Sequence, residues 1–72
     1  MTFYEALKYL LNTAGGRISR KSWRGNYYLC KHFYSGSSTV DIVLESRSGK
    51  YKEIYSASSV DMTANDWCIE KE

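Results

Sequence analysis

The sequence predicts an α+β fold, one N-terminal helix followed by an antiparallel β meander of four to five strands. Three observations carry that expectation. A single apolar stripe of helical period opens the chain. After the Gly15-Gly16 pair the pattern changes to the alternation of period two that strands require. Finally, 72 residues make one domain, residues 1-72, and leave no room for a second.

Thr2 to Asn12 is the helix. Phe3, Ala6, Leu7, Leu10 and Leu11 fall at i, i+3, i+4, i+7 and i+8, which is one face. Thr2 is a good N-cap, and Glu5 three residues on completes a Thr-x-x-Glu capping box. Gly15 and Gly16 end the helix by supplying the left-handed residue beyond its C-terminus. Arg17 to Trp23 then alternates, with Ile18 and Arg20 on one face and Arg17, Ser19, Lys21 and Trp23 on the other. Arg24-Gly25-Asn26 is turn chemistry. Tyr27 to Tyr34 reads as a second strand with rings on both faces. Ser35 to Ser38 reads as a loop, and Thr39 to Ser46 as a third strand with Val40, Ile42 and Leu44 facing in. After a turn at Ser46-Arg47-Ser48-Gly49, Lys50 to Tyr55 makes a fourth strand. Ser56 to Asn65 is a loop and short turn in which Asp61 caps a helical start. Trp67 to Lys71 closes as an edge strand, and both Trp-bearing segments, Trp23 and Trp67, are expected on the same sheet.

Composition narrows the function. A chain this short buries only about 60% of its unfolded surface, so oligomerisation is an expected remedy in the absence of metal or disulfide staples. Ten Lys and Arg against eight Asp and Glu give a net charge of +2, too mild a basic excess to argue for duplex nucleic acid. Seven Tyr and two Trp suit interfaces and small-ligand pockets, because each ring is apolar with a polar tip. Cys30 and Cys68 lack metal-ligand spacing and only one His is present, so a four-ligand zinc site is not expected. The sequence permits a Cys30–Cys68 disulfide and does not require one. With no secretory leader pattern and no apolar run of membrane length, the expectation is a cytoplasmic protein with reduced cysteines and no membrane partner.

Catalytic constellations are thin. His32 and Cys30 share a strand face, but nothing around them has the look of an activated nucleophile, so no catalytic residue is expected. Asp61 and Asp66 flank one turn and are explained by capping and turn bonding, although Asp61 also has the chemistry of a ligand contact. Arg17, Arg20, Lys21 and Arg24, interleaved with Trp23 and Tyr27, form the best anion signal. Guanidinium forks match phosphate while a ring stacks on a base. A solvated strand face is the competing explanation. Gly15-Gly16 precedes a strand and not a helix, so it is no phosphate loop.

Three ordered segments add a resemblance: Thr2-Phe3-Tyr4-Glu5-Ala6-Leu7, Arg20-Lys21-Ser22-Trp23, and Asp61-Met62-Thr63-Ala64-Asn65-Asp66-Trp67. Together they resemble a family of small phage proteins, the second type of anti-Thoeris sponge, whose pattern is Thr-Phe-x-x-Ala-Leu, Arg-x-x-Trp and Asp-Leu-Leu-Ala-x-Asp-Trp. The resemblance implies a non-enzymatic, homo-oligomeric protein, a tetramer or dimer, acting in the host cytoplasm. It would sequester cyclic ADP-ribose-type signals made by bacterial TIR enzymes, or cyclic dinucleotides. It further implies a ligand surface of Trp23 stacking on a base, Tyr55 where the family often has Trp, Ser58, Ser59 and Asp61 on ribose, and Arg24 and Asn26 alongside. Met62-Thr63 replaces Leu-Leu, and the usual Pro near Ala57 is missing. A second function class, a small protein-interaction module that inhibits a host protein through its Tyr-rich sheet, needs no nucleotide. Single-stranded nucleic acid binding is a third and weaker reading.

Overall fold

The Thr2 capping box forms as its residue types require. In this computed structural model, which describes residues 1-33 and 40-70, the Thr2 hydroxyl accepts from the Glu5 amide at 3.2 Å. The Glu5 carboxylate in turn accepts from the Thr2 amide at 2.9 Å, so two of the orphan donors at the start of helix α1 (Phe3–Asn12) are satisfied. Ala6 and Leu10 are fully buried. Leu11, expected on the same stripe, is exposed, and its carbonyl accepts from the Lys31 ammonium at 3.0 Å.

Five strands follow: β1 (Arg17–Arg20), β2 (Tyr27–Phe33), β3 (Val40–Ser46), β4 (Lys52–Ile54) and β5 (Trp67–Glu70). Their order in one sheet is β4-β3-β2-β1-β5, and every pairing is antiparallel. The first four strands form the expected meander. β5 returns to lie on the free side of β1, so that β4 and β5 are the two edges. The loop expected at Ser35 to Ser38, the strand ends expected at Tyr34 and Thr39, and Lys71 and Glu72 lie outside the described residues.

The register sorts the side chains into two layers. Ile18 stands opposite Leu29 on one side and Ile69 on the other, Leu29 opposite Leu44, and Arg20 opposite Trp67. This row faces α1. Ala6, Leu10, Ile18, Leu29 and Trp67 form the core there, with Phe3, Tyr9, Trp23, Ile42, Leu44, Tyr55 and Ala64 around it. Burying a side chain such as Leu10, Ile18 or Leu29 contributes about 1.5–3 kcal/mol. Among the described residues no helix covers the opposite face, which carries Ser19, Tyr28, Cys30, His32, Val43, Glu45 and Cys68, as the strand alternation dictates. Val43, expected to face solvent, is nearly buried on this second face, between Cys30 and Ile54 in the ladders.

Two local departures from the sequence expectation shape the region around the tryptophans. The strand predicted for Arg17 to Trp23 stops at Arg20, and Lys21–Trp23 is a 3-10 turn. The cause is Asp66. Its carbonyl takes the Lys21 amide at 3.0 Å, and its carboxylate takes the Ser22 amide at 3.2 Å, which draws the chain off the ladder. Arg24 then reverses direction in the left-handed region, φ 55°, a conformation that costs a non-glycine residue energy and is held here by its amide on the Lys21 carbonyl at 3.1 Å. In the second departure, Ser59–Thr63 is a short helix, α2, capped by Ser58 and not by Asp61. The Ser58 hydroxyl accepts from the Asp61 amide at 3.2 Å, leaving the Asp61 carboxylate for other partners. Among the described residues, no helix is long and apolar enough to cross a membrane.

Candidate functional site

Asp61 is the hub of the site. One carboxylate oxygen accepts from Arg20 Nη1 at 3.0 Å and the other from the Tyr55 hydroxyl at 2.8 Å. Its backbone carbonyl accepts from the Trp67 indole N–H at 2.8 Å. Arg20 also donates through Nε to Asp66 at 2.8 Å, so a single guanidinium clamps both acids of the closing motif. Charge-assisted bonds of this kind are the strong ones. The geometry follows from Arg20 sharing the core-facing side of β1 with Ile18: a cation directed there must find anions, and the returning chain supplies two.

The electrostatics agree. Bonding to Asp66 and Asp61 raises the Arg20 guanidinium further above its ordinary value, against the opposing effect of burial. Arg20 and the Ser22 amide hold the Asp66 carboxyl below its usual range. Burial, and then the bond to Asp61, push the Tyr55 phenol well above its ordinary value. Tyr55 is therefore a fixed neutral donor at physiological pH and not a base.

Trp23 joins this hub through Trp67. The two rings meet edge to face with centroids 5.3 Å apart, and Phe3 tilts against the far side of Trp67 at 5.1 Å. Trp67 is buried while Trp23 is half-buried. Ser58 and Ser59 sit exposed at the start of α2. The cap leaves the Ser58 hydroxyl proton available to donate. Arg24 and Asn26 continue the chain beyond Trp23 and are exposed. The Asn26 backbone is tied to the Trp23 carbonyl at 3.0 Å and to the Arg47 amide at 2.9 Å. Among the described residues, no side-chain bond links Arg24 or Asn26 to Tyr55 or Asp61. The site thus gathers Tyr55, Ser58 and Asp61 directly and Trp23 at one remove, while Arg24 and Asn26 lie exposed just beyond Trp23 in the chain.

The anion patch expected of the basic segment does not form as one surface. Arg20 is consumed by the two aspartates. Arg17 lies on the other face, its guanidinium 4.5 Å from the Tyr28 ring centroid. Lys21 and Arg24 are exposed. Sequence reasoning missed Arg20 as the partner that fixes Asp61, and Asp66 as the second acid on the same guanidinium. The available signal was a lone charge on the apolar side of an alternating strand.

On the second face, Tyr28 and Glu45 are partners across the β2–β3 ladder, and the Tyr28 hydroxyl donates to Glu45 Oε2 at 2.6 Å. His32 Nε2 lies 3.3 Å from Glu45 Oε1. Tyr28's bond is the chief reason the Glu45 carboxyl lies below its ordinary value. Burial raises the Cys30 thiol, which is the reverse of what a nucleophilic cysteine needs. Both cysteines are free and half-buried. At the rim of this face Glu70 binds Ser19 at 2.8 Å and Arg47.

Together, the helix-backed antiparallel sheet, the turn capped by Ser58 and the tryptophan pair define a small α+β domain with the hydrogen-bonded Asp61 hub on its helix side. No curated protein and no solved structure matches the chain. The Tad2-like domain model, described as a Thoeris anti-defense 2-like domain, matches residues 1-70. The chain belongs to that family, and its function is phage anti-defence directed at Thoeris.

Proposed function

We propose that the protein is a homo-oligomeric sponge that binds a cyclic nucleotide-type immune signal, a cyclic ADP-ribose isomer or a cyclic dinucleotide, and holds it without cleaving it. Acting in the host cytoplasm, it would keep the signal from its effector. The observation that carries this reading is the Asp61 hub in a chain of the Tad2-like family: a carboxylate locked by Arg20 and Tyr55 and joined through the buried Trp67 to the half-buried Trp23 indole. Such a carboxylate is preorganised, so its remaining lone pairs can accept from ribose hydroxyls with little ordering cost. Trp23 would stack on a base, Tyr55 would border it, Ser58 and Ser59 would contact ribose, and Arg24 and Asn26 would meet phosphate.

The isolated chain encloses no pocket among the described residues. In this proposal a second copy completes the ligand surface. Val60 and Met62 on α2 and Ile54 on β4 are large apolar side chains more than half exposed, which suits coverage by another subunit. A sponge acts by stoichiometry, so slow release matters and turnover does not.

Thermal shift across a panel of cyclic ADP-ribose isomers and cyclic dinucleotides tests the reading. A ligand at 100-fold over its Kd adds about 2.7 kcal/mol of stability, a rise of roughly 10 °C or more for a domain of this size. Trp23→Ala is expected to remove that shift while the assembly keeps its mass. If Trp23→Ala binds as tightly as the parent, the proposed surface is wrong. If no compound shifts the parent, a host-protein inhibitor acting through the Tyr-rich sheet becomes the better account.

A further inference from the structure

Cys30 and His32 are two residues apart on β2 and so point to the same side of the sheet, the face away from α1. Glu45 stands on β3 opposite Tyr28, one step along that face. Its side chain runs past Cys30 to reach His32. One donor atom from each of Cys30, His32 and Glu45 lies within 4.8 Å of the other two, and all three residues are half-buried. We propose that these three side chains bind one zinc-class divalent transition-metal ion, leaving its fourth position open to solvent or to a small donor.

The donor set fits that ion class. A thiolate, an imidazole nitrogen and a carboxylate oxygen are the ligands that Zn²⁺ and Co²⁺ take in tetrahedral sites, at about 2.0–2.3 Å. Bonds of that length place donors roughly 3.3–3.8 Å apart. His32 Nε2 and Glu45 Oε1 are already 3.3 Å apart, so closing the set needs only small side-chain rotations. A supporting layer is present as well. The Tyr28 hydroxyl holds Glu45 Oε2 and so turns Oε1 toward His32, the outer-shell orientation that metal-binding carboxylates use. Arg17 and Arg47 fix the Tyr28 ring from its faces, at 4.5 Å and 5.4 Å. Val43, opposite Cys30 in the ladder and 2% exposed, gives the cluster an apolar floor.

One competitor must leave. Lys52 Nζ lies 3.6 Å from Glu45 Oε1, but its side chain is 55% exposed and can swing into solvent at little cost. The metal takes the place of the Lys52 and His32 contacts on Oε1, and the Cys30 thiol ionises on ligation. Counting Cys and His alone missed this site because its third ligand is a glutamate delivered by strand register.

Co²⁺ titration of the untagged full chain, kept reduced with a phosphine, tests the proposal. The expected result is one ion per chain, with a thiolate-to-cobalt charge-transfer band, the visible bands of a tetrahedral site, and displacement by Zn²⁺. Cys30→Ser should abolish the charge-transfer band, whereas Cys68→Ser should keep it. His32→Gln should weaken binding at least tenfold, and Tyr28→Phe, which keeps the ring and removes only the hydroxyl, by roughly 10–100-fold. No charge-transfer band in the parent, or a band that survives in both Cys30→Ser and His32→Gln, overturns the assignment. If Cys30→Ser does not fold, the His32→Gln titration decides alone.

Discussion

Two carboxylate clusters sit on opposite faces of one five-stranded sheet, and they are built on different logic. On the helix side, Asp61 and Asp66 share a permanently charged guanidinium, and further donors come from Tyr55 and the Ser22 amide. On the open side, Glu45 is held by the Tyr28 hydroxyl at 2.6 Å, by His32 at 3.3 Å and by a mostly exposed Lys52 at 3.6 Å. The first cluster is committed to one arrangement and fixes the turn beside Trp23. The second satisfies its polar atoms but could exchange partners at modest cost. A rigid hub suits recognition of a fixed ligand, whereas an exchangeable one suits capture of an ion.

The largest expected effect lies on the committed side. Asp61→Ala strips a partner from both Arg20 and Tyr55, and we expect a loss of about 2–4 kcal/mol in denaturant unfolding. A loss under about 1 kcal/mol would show that the hub is no more committed than Glu45. Tyr55→Phe removes one donor and leaves the Arg20 clamp, so about 1–2 kcal/mol is expected in the same measurement. Ser58→Ala removes the cap of α2 and should cost about 1 kcal/mol. The smallest effect belongs to the open face. Glu45→Gln keeps an acceptor for Tyr28 and should change stability by no more than about 0.5 kcal/mol without metal.

Acid and alkali sharpen the contrast. The Glu45 and Asp66 carboxyls lie below their ordinary values of 4.5 and 3.8, through Tyr28 and Arg20 respectively. Glu70 is also lowered from 4.5, because Ser19 and Arg47 outweigh its burial. A depressed folded pKa contributes stability that is present above the ordinary value and lost as pH falls through the folded one. Unfolding free energy should therefore be flat near neutrality and decline below about pH 4.5. Tyr55, Tyr28 and Cys30 are raised. Their contribution is present below their ordinary values and lost as pH rises from about 9 upward. Tyr55→Phe should flatten part of that alkaline decline, and a pH titration of chemical denaturation reads both limbs.

Much of the fold was legible because its signals are local. The Thr2 box, the stripe through Ala6 and Leu10, and the alternation of Ile18, Leu29 and Leu44 each need only neighbours in sequence. The turn at Trp23 was not, since Asp66 carries it from 44 residues away in its bond to Ser22. The cap of α2 was legible but passed over: Ser58-Ser59-Val60-Asp61 has the Ser-x-x-Asp spacing of a helix start. Of the expected site residues, Tyr55 and Ser58 each bond Asp61. Arg20 and Asp66 emerge only when β5 pairs with β1. The Cys30, His32 and Glu45 grouping likewise depends on register, which periodicity does not specify.

On the proposed function, the chain holds a nucleotide signal intact. The most direct measurement is to load the purified protein with each candidate cyclic nucleotide, remove what is free, denature by heat and chromatograph what is released. Near-stoichiometric recovery of an unaltered ligand is expected from the parent, and little from Trp23→Ala. Recovery of a cleaved product would make the protein an enzyme, and retention of no candidate at all would contradict the sponge reading.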